Sequence, residues 1–498
     1  MFDRFITHTA RISPQSTAMI SFDGEISYSR LDADINRVAA ALLKEFDPLP
    51  KVVAISYQQL HPHWLFILAL CRIGVASASV SDDAFVAESE IKILQPDLVI
   101  SDEMFDIVDG PKILVLDSDW VRNVLKGPAV DPIRPPEDPD RLARVAISSG
   151  TSAEKHRIDF SCRLIESNLL RGVQLESVSW IDLSPARVVP RILPTLGFGS
   201  IHGFLSILVI WLVRGSIVIA DREQYPAALI MLRPTVMIVS PIQLQEIMSR
   251  MPKEFQPSEN LRLIVSAGIF PKALREDVAA RLTPFIRVNY TTSESGILAA
   301  IPVTQHDHDD MAGWVLPWAD IQIVDEHDQV LPFNTIGEIR VKSAEQVSGF
   351  YKNEAATKAQ FKNGWFYTGD LGILDASGLL RLRGRIDGLF NFGGDKFDSA
   401  RVSSVIKAVP GVIDAALFSV DNINGLAEPW LAIVQGEGYD NDKVSRAIEE
   451  NFPNLPNVMA LWIDRIPRND QDQVYYSVLS DIVYKQFKNY KPRKKDLV

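Results

Sequence analysis

Cysteine is almost missing from this chain. Cys71 and Cys162 are the two among 498 residues, too few for a disulfide framework or a cysteine-rich metal site. They suit a reducing compartment, so a cytoplasmic location is expected. Positive charge is also short. Lys and Arg number 51 against 63 Asp and Glu, a net charge of −12, which repels a phosphodiester backbone and argues against a general nucleic-acid partner. No long apolar run goes unbroken. The strongest, residues 204–220, is interrupted by Arg214 and Gly215, and reads as a buried helix followed by a buried strand, so no membrane span is expected. Met1-Phe2-Asp3-Arg4 lacks the basic-then-apolar pattern of a secretory signal. No repeat of fixed period stands out.

What is there is an ordinary globular composition, 47% hydrophobic and 23% charged, in a chain too long for one core. Up to about residue 300, strand-like and helix-like segments alternate. Tyr28 starts a helical pattern, residues 52–56 read as a buried strand, residues 64–71 as a buried helix, and residues 97–100 and 113–116 as further strands. This alternation predicts α/β layers with largely parallel pairing. Residues 132–140, with four prolines, read as a surface connector. From Ile321 the period becomes two, in residues 321–324, 337–341 and 379–382, which predicts antiparallel sheet. The stretch after Arg385 is long enough for a small α+β domain. The expected fold class is therefore α/β: a large N-terminal part of layered α/β subdomains with a β-rich subdomain, and a small C-terminal α+β part. The basic end, residues 485–495, reads as a solvated tail.

Five short segments carry candidate chemistry. Ser148-Ser149-Gly150-Thr151-Ser152 precedes an apolar stretch and offers backbone N–H groups and hydroxyls to phosphate oxygens, although such loops often merely turn the chain. Asn289-Tyr290-Thr291-Thr292-Ser293-Glu294-Ser295-Gly296 combines an aromatic face for a base with a carboxylate for Mg²⁺; a capped helix start is the plainer alternative. In Gly364-Trp365-Phe366-Tyr367-Thr368-Gly369-Asp370-Leu371-Gly372 the aspartate sits between turn glycines, where it can accept both hydroxyls of a ribose or simply cap a turn. The fourth is Gly384-Arg385-Ile386-Asp387-Gly388, then Phe392-Gly393-Gly394-Asp395-Lys396-Phe397, and the fifth Ile466-Pro467-Arg468-Asn469-Asp470-Gln471-Asp472-Gln473-Val474-Tyr475.

In this order and spacing, the five resemble the core motifs of the adenylate-forming superfamily, which holds acyl-CoA synthetases, peptide-synthetase adenylation domains and luciferases. The likeness runs from about residue 10 to about 480. Gly364 to Gly372 matches GW(F/Y)xTGD and is followed by GRxD at Gly384 to Asp387. Ser149 to Ser152 matches the start of the phosphate loop. Tyr290 to Glu294 matches Y-G-x-T-E, with Thr291 for Gly and Ser293 for Thr. The resemblance implies ATP-dependent conversion of a carboxylic acid to an acyl-AMP, then transfer to a thiol of CoA or of a carrier-protein phosphopantetheine. It implies an AMP-binding domain over residues 1–386 and a mobile lid over 387–498, with Asp387 at the hinge. Ser149, Gly150, Thr151 and Ser152 would meet the β- and γ-phosphates. Gly268, Asn289 and Tyr290 would line the adenine, and Asp370 and Arg385 would hold the ribose. Ser293 and the catalytic Glu294 would meet the α-phosphate and Mg²⁺.

Two departures are chemically pointed. Gln473 stands where the family carries its catalytic lysine, with Asp472 in place of the neighbouring glycine. Glutamine donates a hydrogen bond but carries no charge, and losing one donor in a dry site costs about a hundred- to a thousandfold in rate. In the phosphate loop G-x-P-K-G becomes Ala153-Glu154-Lys155-His156-Arg157, leaving Lys155 or Arg157 to supply charge. The expectations are a ligase with impaired or altered adenylation, or a non-catalytic homologue that binds nucleotide or an acyl or carrier partner as a scaffold. The acid pocket is expected between residues 194–204, 267–269 and 290–297, with Gly197, Phe198, Ile269 and Gly296 in its wall. It should suit an acyl or aryl acid, since no Asp resembles an ammonium anchor there. His202 reads equally as a core histidine or a substrate contact. His306-Asp307-His308-Asp309-Asp310 reads as an exposed loop more readily than as a metal site.

Overall fold

The computed structural model describes every residue except 1–2, 58, 82–83, 106, 108–109, 149–154, 180–188, 267–269, 304–309, 387–388, 393–394, 423–426, 469–473, 488–489 and 491–498. Two large sheets form the N-terminal part. The first has six strands in the order Lys112–Val115, Leu98–Ser101, Val52–Ser56, Ala76–Ser79, Leu142–Ile147 and Arg157–Ser161. All neighbours run parallel except the last pair. Val52–Ser56 is buried at every position, as a central parallel strand covered on both faces must be.

The second sheet changes character along its width. Thr17–Ser21, Ser216–Val218, Arg191–Pro194, Val236–Val239, Arg262–Val265 and Ile286–Thr292 are parallel neighbours. Beyond Ile286–Thr292 the pairing turns antiparallel, through Gly296–Pro302, Met311–Val315, Leu379–Arg385, Trp365–Leu374, Gly337–Ser343 and Ala319–Val324. The parallel-to-antiparallel change predicted from the period shift is present, but it begins at Gly296, before Ile321. Residues 289–296 form a strand and the start of its antiparallel neighbour, so the helix start weighed for Glu294 is not what forms.

The helices Leu60–Arg72 and Ile201–Leu212 hold the two sheets together. Eleven residues of the first, from Pro62 to Arg72, are buried, which requires protein on all sides. Trp64 meets Trp211 edge-on at 5.0 Å and stacks on Phe204 at 5.7 Å. No helix among the described residues is long and apolar enough to cross a membrane.

The C-terminal part is small and α+β. Val412–Asp421, Ala427–Gln435 and Met459–Trp462 form a three-stranded sheet, and Leu389–Phe392 pairs with Asp395–Asp398. Helices Ser399–Lys407, Asn441–Asn451 and Tyr476–Gln486 accompany them. Gly313 marks how closely the antiparallel strands approach. It takes φ +120°, and a Cβ there would lie 2.4 Å from the carbonyl carbon of Ala300. Gly313→Ala is expected to destabilise the protein by about 3 kcal/mol through combined backbone strain and overpacking, measured as a lowered urea midpoint.

Candidate active site

Strand Ile286–Thr292 is the organising element. In a pleated strand alternate residues share a face. Arg287 and Asn289 project from one face, where Arg287 Nε donates to Asn289 Oδ1 at 2.9 Å. The cross-strand register places Ile264 beside Arg287, and Ile238 beside Ile264.

Asp370 arrives from the antiparallel half. Its segment is not the tight turn that the flanking glycines suggest but part of the ten-residue strand Trp365–Leu374. Gly369 takes φ +72°, and the pairing slips between Leu371 and Gly372. Such a bulge re-aims the neighbouring side chain. Asp370 lies directly across from Arg385. Arg385 Nη1 donates to Asp370 Oδ1 at 2.9 Å, and the Tyr290 hydroxyl donates to Oδ2 at 2.6 Å. Tyr290 is 6% exposed; burial, followed by the Asp370 charge, holds its hydroxyl protonated well above the usual range. Residues separated by 80 positions along the chain thus share one carboxylate.

Glu294 lies nearby, 4% exposed. Burial pushes its carboxyl up to about 7, and the Arg385 charge works in the opposite direction. A buried carboxylate held near neutrality is eager for a cation, and Mg²⁺ is commonly held by one or two carboxylates together with substrate phosphates. The residues present therefore fit a magnesium–phosphate group.

The Ser/Gly/Thr loop, including Ser149, Gly150, Thr151 and Ser152, lies outside the described residues, as do Gly268, Ile269, Asp387, Gln473 and His306 to Asp309. The loop's flanks are described. Ser148 N donates to His156 O at 2.8 Å, and His156 N donates to Ser148 Oγ at 2.9 Å. The three basic residues after the loop differ in use. Burial lowers the His156 pKa, and its ring packs on Phe350 at 4.5 Å. Arg157 is engaged by Asp159 at 2.7 Å and by the carbonyl of Leu94 at 2.7 Å. Lys155 Nζ lies 3.6 Å from the ring centroid of Tyr475, whose hydroxyl donates to Glu90. Tyr475 belongs to the C-terminal part, two positions after Gln473, so this contact joins the two parts at a residue that follows the Ser/Gly/Thr segment in sequence. Tyr475 closes the fifth candidate segment, but sequence reasoning gave it no role, and Glu90 lies in no recognisable motif.

A cavity of about 250 Å³ lies beside these residues. Ser293, Asn289, Gly296, His202, Arg287 and Trp318 are among its lining. Gly197 and Phe198 are not. Phe198 instead stacks on His63 at 3.6 Å, and its carbonyl accepts from Arg144 at 2.6 Å. A glycine-and-aromatic pair in sequence cannot reveal which way the loop faces. His202 does line the cavity, with its pKa lowered to about 4 by burial and then by Arg287.

A family model described as AMP-binding enzyme matches residues 6–351. The chain belongs to the AMP-binding enzyme family. This AMP-binding enzyme is 25% identical over 505 residues to 4-coumarate–CoA ligase-like 9 of Oryza sativa subsp. japonica, covering 93% of this chain and 88% of that one. It is 24% identical over 473 residues to 3-hydroxybenzoate–CoA/4-hydroxybenzoate–CoA ligase of Thauera aromatica, with coverages of 87% and 86%. Among solved structures, o-succinylbenzoate coenzyme A synthetase from Bacillus subtilis, in complex with ATP and magnesium ion, superposes with TM-score 0.75 at 19% identity, covering 95% of this chain and 98% of that one. ATP-bound MatB from Rhodopseudomonas palustris gives 0.73 at 21%, with coverages of 97% and 99%. These likenesses carry the fold.

The raised Glu294 pKa has a stability consequence. The folded state binds its proton more tightly than the unfolded state, so stability falls as pH rises from 4.5 through about 7. Glu294→Gln is expected to be more stable than the parent at pH 8, by on the order of 3 kcal/mol. The gap should close towards pH 4.5, read from urea unfolding across that range.

Proposed function

We propose that this AMP-binding enzyme activates a carboxylic acid with ATP. The acid's carboxylate oxygen attacks the α-phosphorus, the bond to the β-phosphate oxygen breaks, and acyl-AMP and pyrophosphate form. A thiol of CoA, or of a carrier-protein phosphopantetheine, then attacks the acyl carbon, and AMP leaves. The observation that carries this reading is the convergence of Tyr290 and Arg385 on the Asp370 carboxylate, with buried Glu294 beside it.

The chain's own groups suit that chemistry. Asp370 would accept from the two ribose hydroxyls, exchanging the Tyr290 hydroxyl for ligand donors, and Arg385 would hold it in place. Tyr290 and Asn289, with Gly268, would border the adenine. Ser149, Gly150, Thr151 and Ser152 would donate to the outer phosphates. Glu294 would hold Mg²⁺, which neutralises phosphate charge, while Ser293 faces the α-phosphate. Positioning and charge neutralisation supply most of the rate in such transfers.

Gln473 is the weak point, because the lysine it replaces would bridge the acid and the α-phosphate. Lys155 would offset part of that loss, since it follows the Ser/Gly/Thr segment in sequence and lies under Tyr475. Adenylation is accordingly slowed rather than abolished. The same reading divides the chain into an AMP-binding domain, 1–386, and a lid, 387–498, hinged at Asp387. Gln473 also favours a second reading, a non-catalytic homologue that binds nucleotide or a carrier partner.

ATP–pyrophosphate exchange with a panel of aryl and alkyl acids, together with mass spectrometry for an acyl-AMP, tests this. Exchange is expected above background in the parent and to rise about a hundredfold or more in Gln473→Lys. Activity confined to Gln473→Lys would establish the non-catalytic reading. Absence of exchange in both, with no AMP binding, would overturn adenylation altogether.

A further inference from the structure

The cavity beside Glu294 carries a chemical asymmetry. Ile201, Leu205, Val209, Ile238 and Ile264 make much of its wall apolar. Against them stands Glu345, 3% exposed and also part of the lining. Its two oxygens are treated very differently. Oε1 accepts from Ser167 Oγ at 2.8 Å and from Arg171 Nε at 3.0 Å. Oε2 is buried and has no hydrogen-bond partner among the described residues. A buried acceptor left unmatched is unfavourable, the more so on a carboxylate, and marks a place where something else supplies a donor.

The neighbourhood limits what that something is. Glu345 is held against the site, since Val347 N donates to the carbonyl of Glu294 at 2.8 Å and Ser343 Oγ donates to that of Ser295 at 2.8 Å. A cavity of about 150 Å³ holds a benzene ring, so about 250 Å³ accommodates one ring with a short extension. A second carboxylate on the acid would face Glu345 and Glu176, and each guanidinium of the lining already has an acceptor: Arg287 is paired with Glu176 at 2.5 Å, Arg171 with Glu345 at 3.0 Å, and Arg262 donates to the carbonyl of Glu259 at 2.7 Å. A bare alkyl chain would leave Oε2 dry. His202, on the same lining, has an Nε2 that is likewise buried without a hydrogen-bond partner, and a hydroxyl can serve both a donor and an acceptor.

We propose that this cavity selects an aryl carboxylic acid bearing a hydrogen-bond donor on its ring, a hydroxyl or an amino group, which Glu345 Oε2 accepts. The proposal rests on the adenylation reading for the fate of the acid's carboxylate. Glu345 is then a specificity-determining residue. A site built to pair with a substrate donor discriminates strongly against analogues that lack it, because its own polar group stays unmatched.

The test is calorimetric titration of the full chain with free acids. Benzoate and cinnamate are each used plain, hydroxylated, aminated and methoxylated, beside decanoate, with AMP titrated separately. The hydroxylated or aminated rings are expected to bind roughly tenfold or more tightly than the plain and methoxylated ones, and the difference between those two series identifies which donor is preferred. In Glu345→Gln the amide oxygen can keep Ser167 and Arg171 while the amide nitrogen turns a donor to the cavity. The ranking should then shift towards the methoxylated rings. Equal binding across the aryl series, tightest binding of decanoate, no binding of any acid, or an unchanged ranking in a folded Glu345→Gln would each overturn the proposal. If Glu345→Gln does not fold, the ranking on the parent chain decides. AMP separates the two readings: the expected acid ranking without AMP binding sinks adenylation and leaves this selection standing, and AMP binding without the ranking does the reverse.

Discussion

The parallel and antiparallel halves of the second sheet meet along Ile286–Thr292, bonded in parallel to Arg262–Val265 and antiparallel to Gly296–Pro302. Backbone hydrogen bonds on both edges leave this strand no freedom to shift without breaking a ladder, and a one-residue slip would invert every side chain. Arg287 and Asn289 on its cavity face, Tyr290 at its end and Glu294 just beyond it are all placed by that constraint. The cavity and the Asp370 carboxylate lie where they do because of this one seam.

Charge is distributed around the seam in a consistent way. Asp370 is satisfied by a phenol and a guanidinium, whereas Glu294 is buried and held near neutrality. Two carboxylates close together are tolerable when one is paired and the other readily takes up a proton or a cation. The same logic separates the three basic residues after the Ser/Gly/Thr segment. Arg157 is committed to Asp159 and to backbone carbonyls, burial favours the neutral form of His156, and Lys155 rests against an aromatic ring from the C-terminal part. Tyr475 is thus both a docking residue, through Glu90, and a shield over that cation.

The cavity beside Glu294 is built from two unlike walls. Its apolar wall comes from regular elements, the helix Ile201–Leu212 and the strands beneath it, which tolerate little change. Its polar wall comes from Glu345 on the connection after Gly337–Ser343, from helix Cys162–Ser179, and from Arg287. In the proposed reading, discrimination between acids by hydrogen bonding would rest with this polar side, because unmatched buried groups carry larger differences than a methylene more or less in an apolar slot.

Much of the architecture was legible in the chain itself, because hydrophobic period reports local geometry directly. The parallel layers, the antiparallel sheet after Ile321 and the small C-terminal α+β part follow from period and turn residues. So did the family, because Gly364 to Gly372 and Gly384 to Asp387 hold short-range chemistry at set spacing. The pairings were not legible. No local pattern tells that Asp370 sits in a bulged strand rather than a turn, that Tyr290 donates to it, or that Phe198 turns away to stack on His63. Nor does any motif mark Glu345, or tell that Tyr475 reaches Glu90 and Lys155. Those facts depend on which segments pack together, an outcome of long-range burial and sheet register that only the tertiary structure decides.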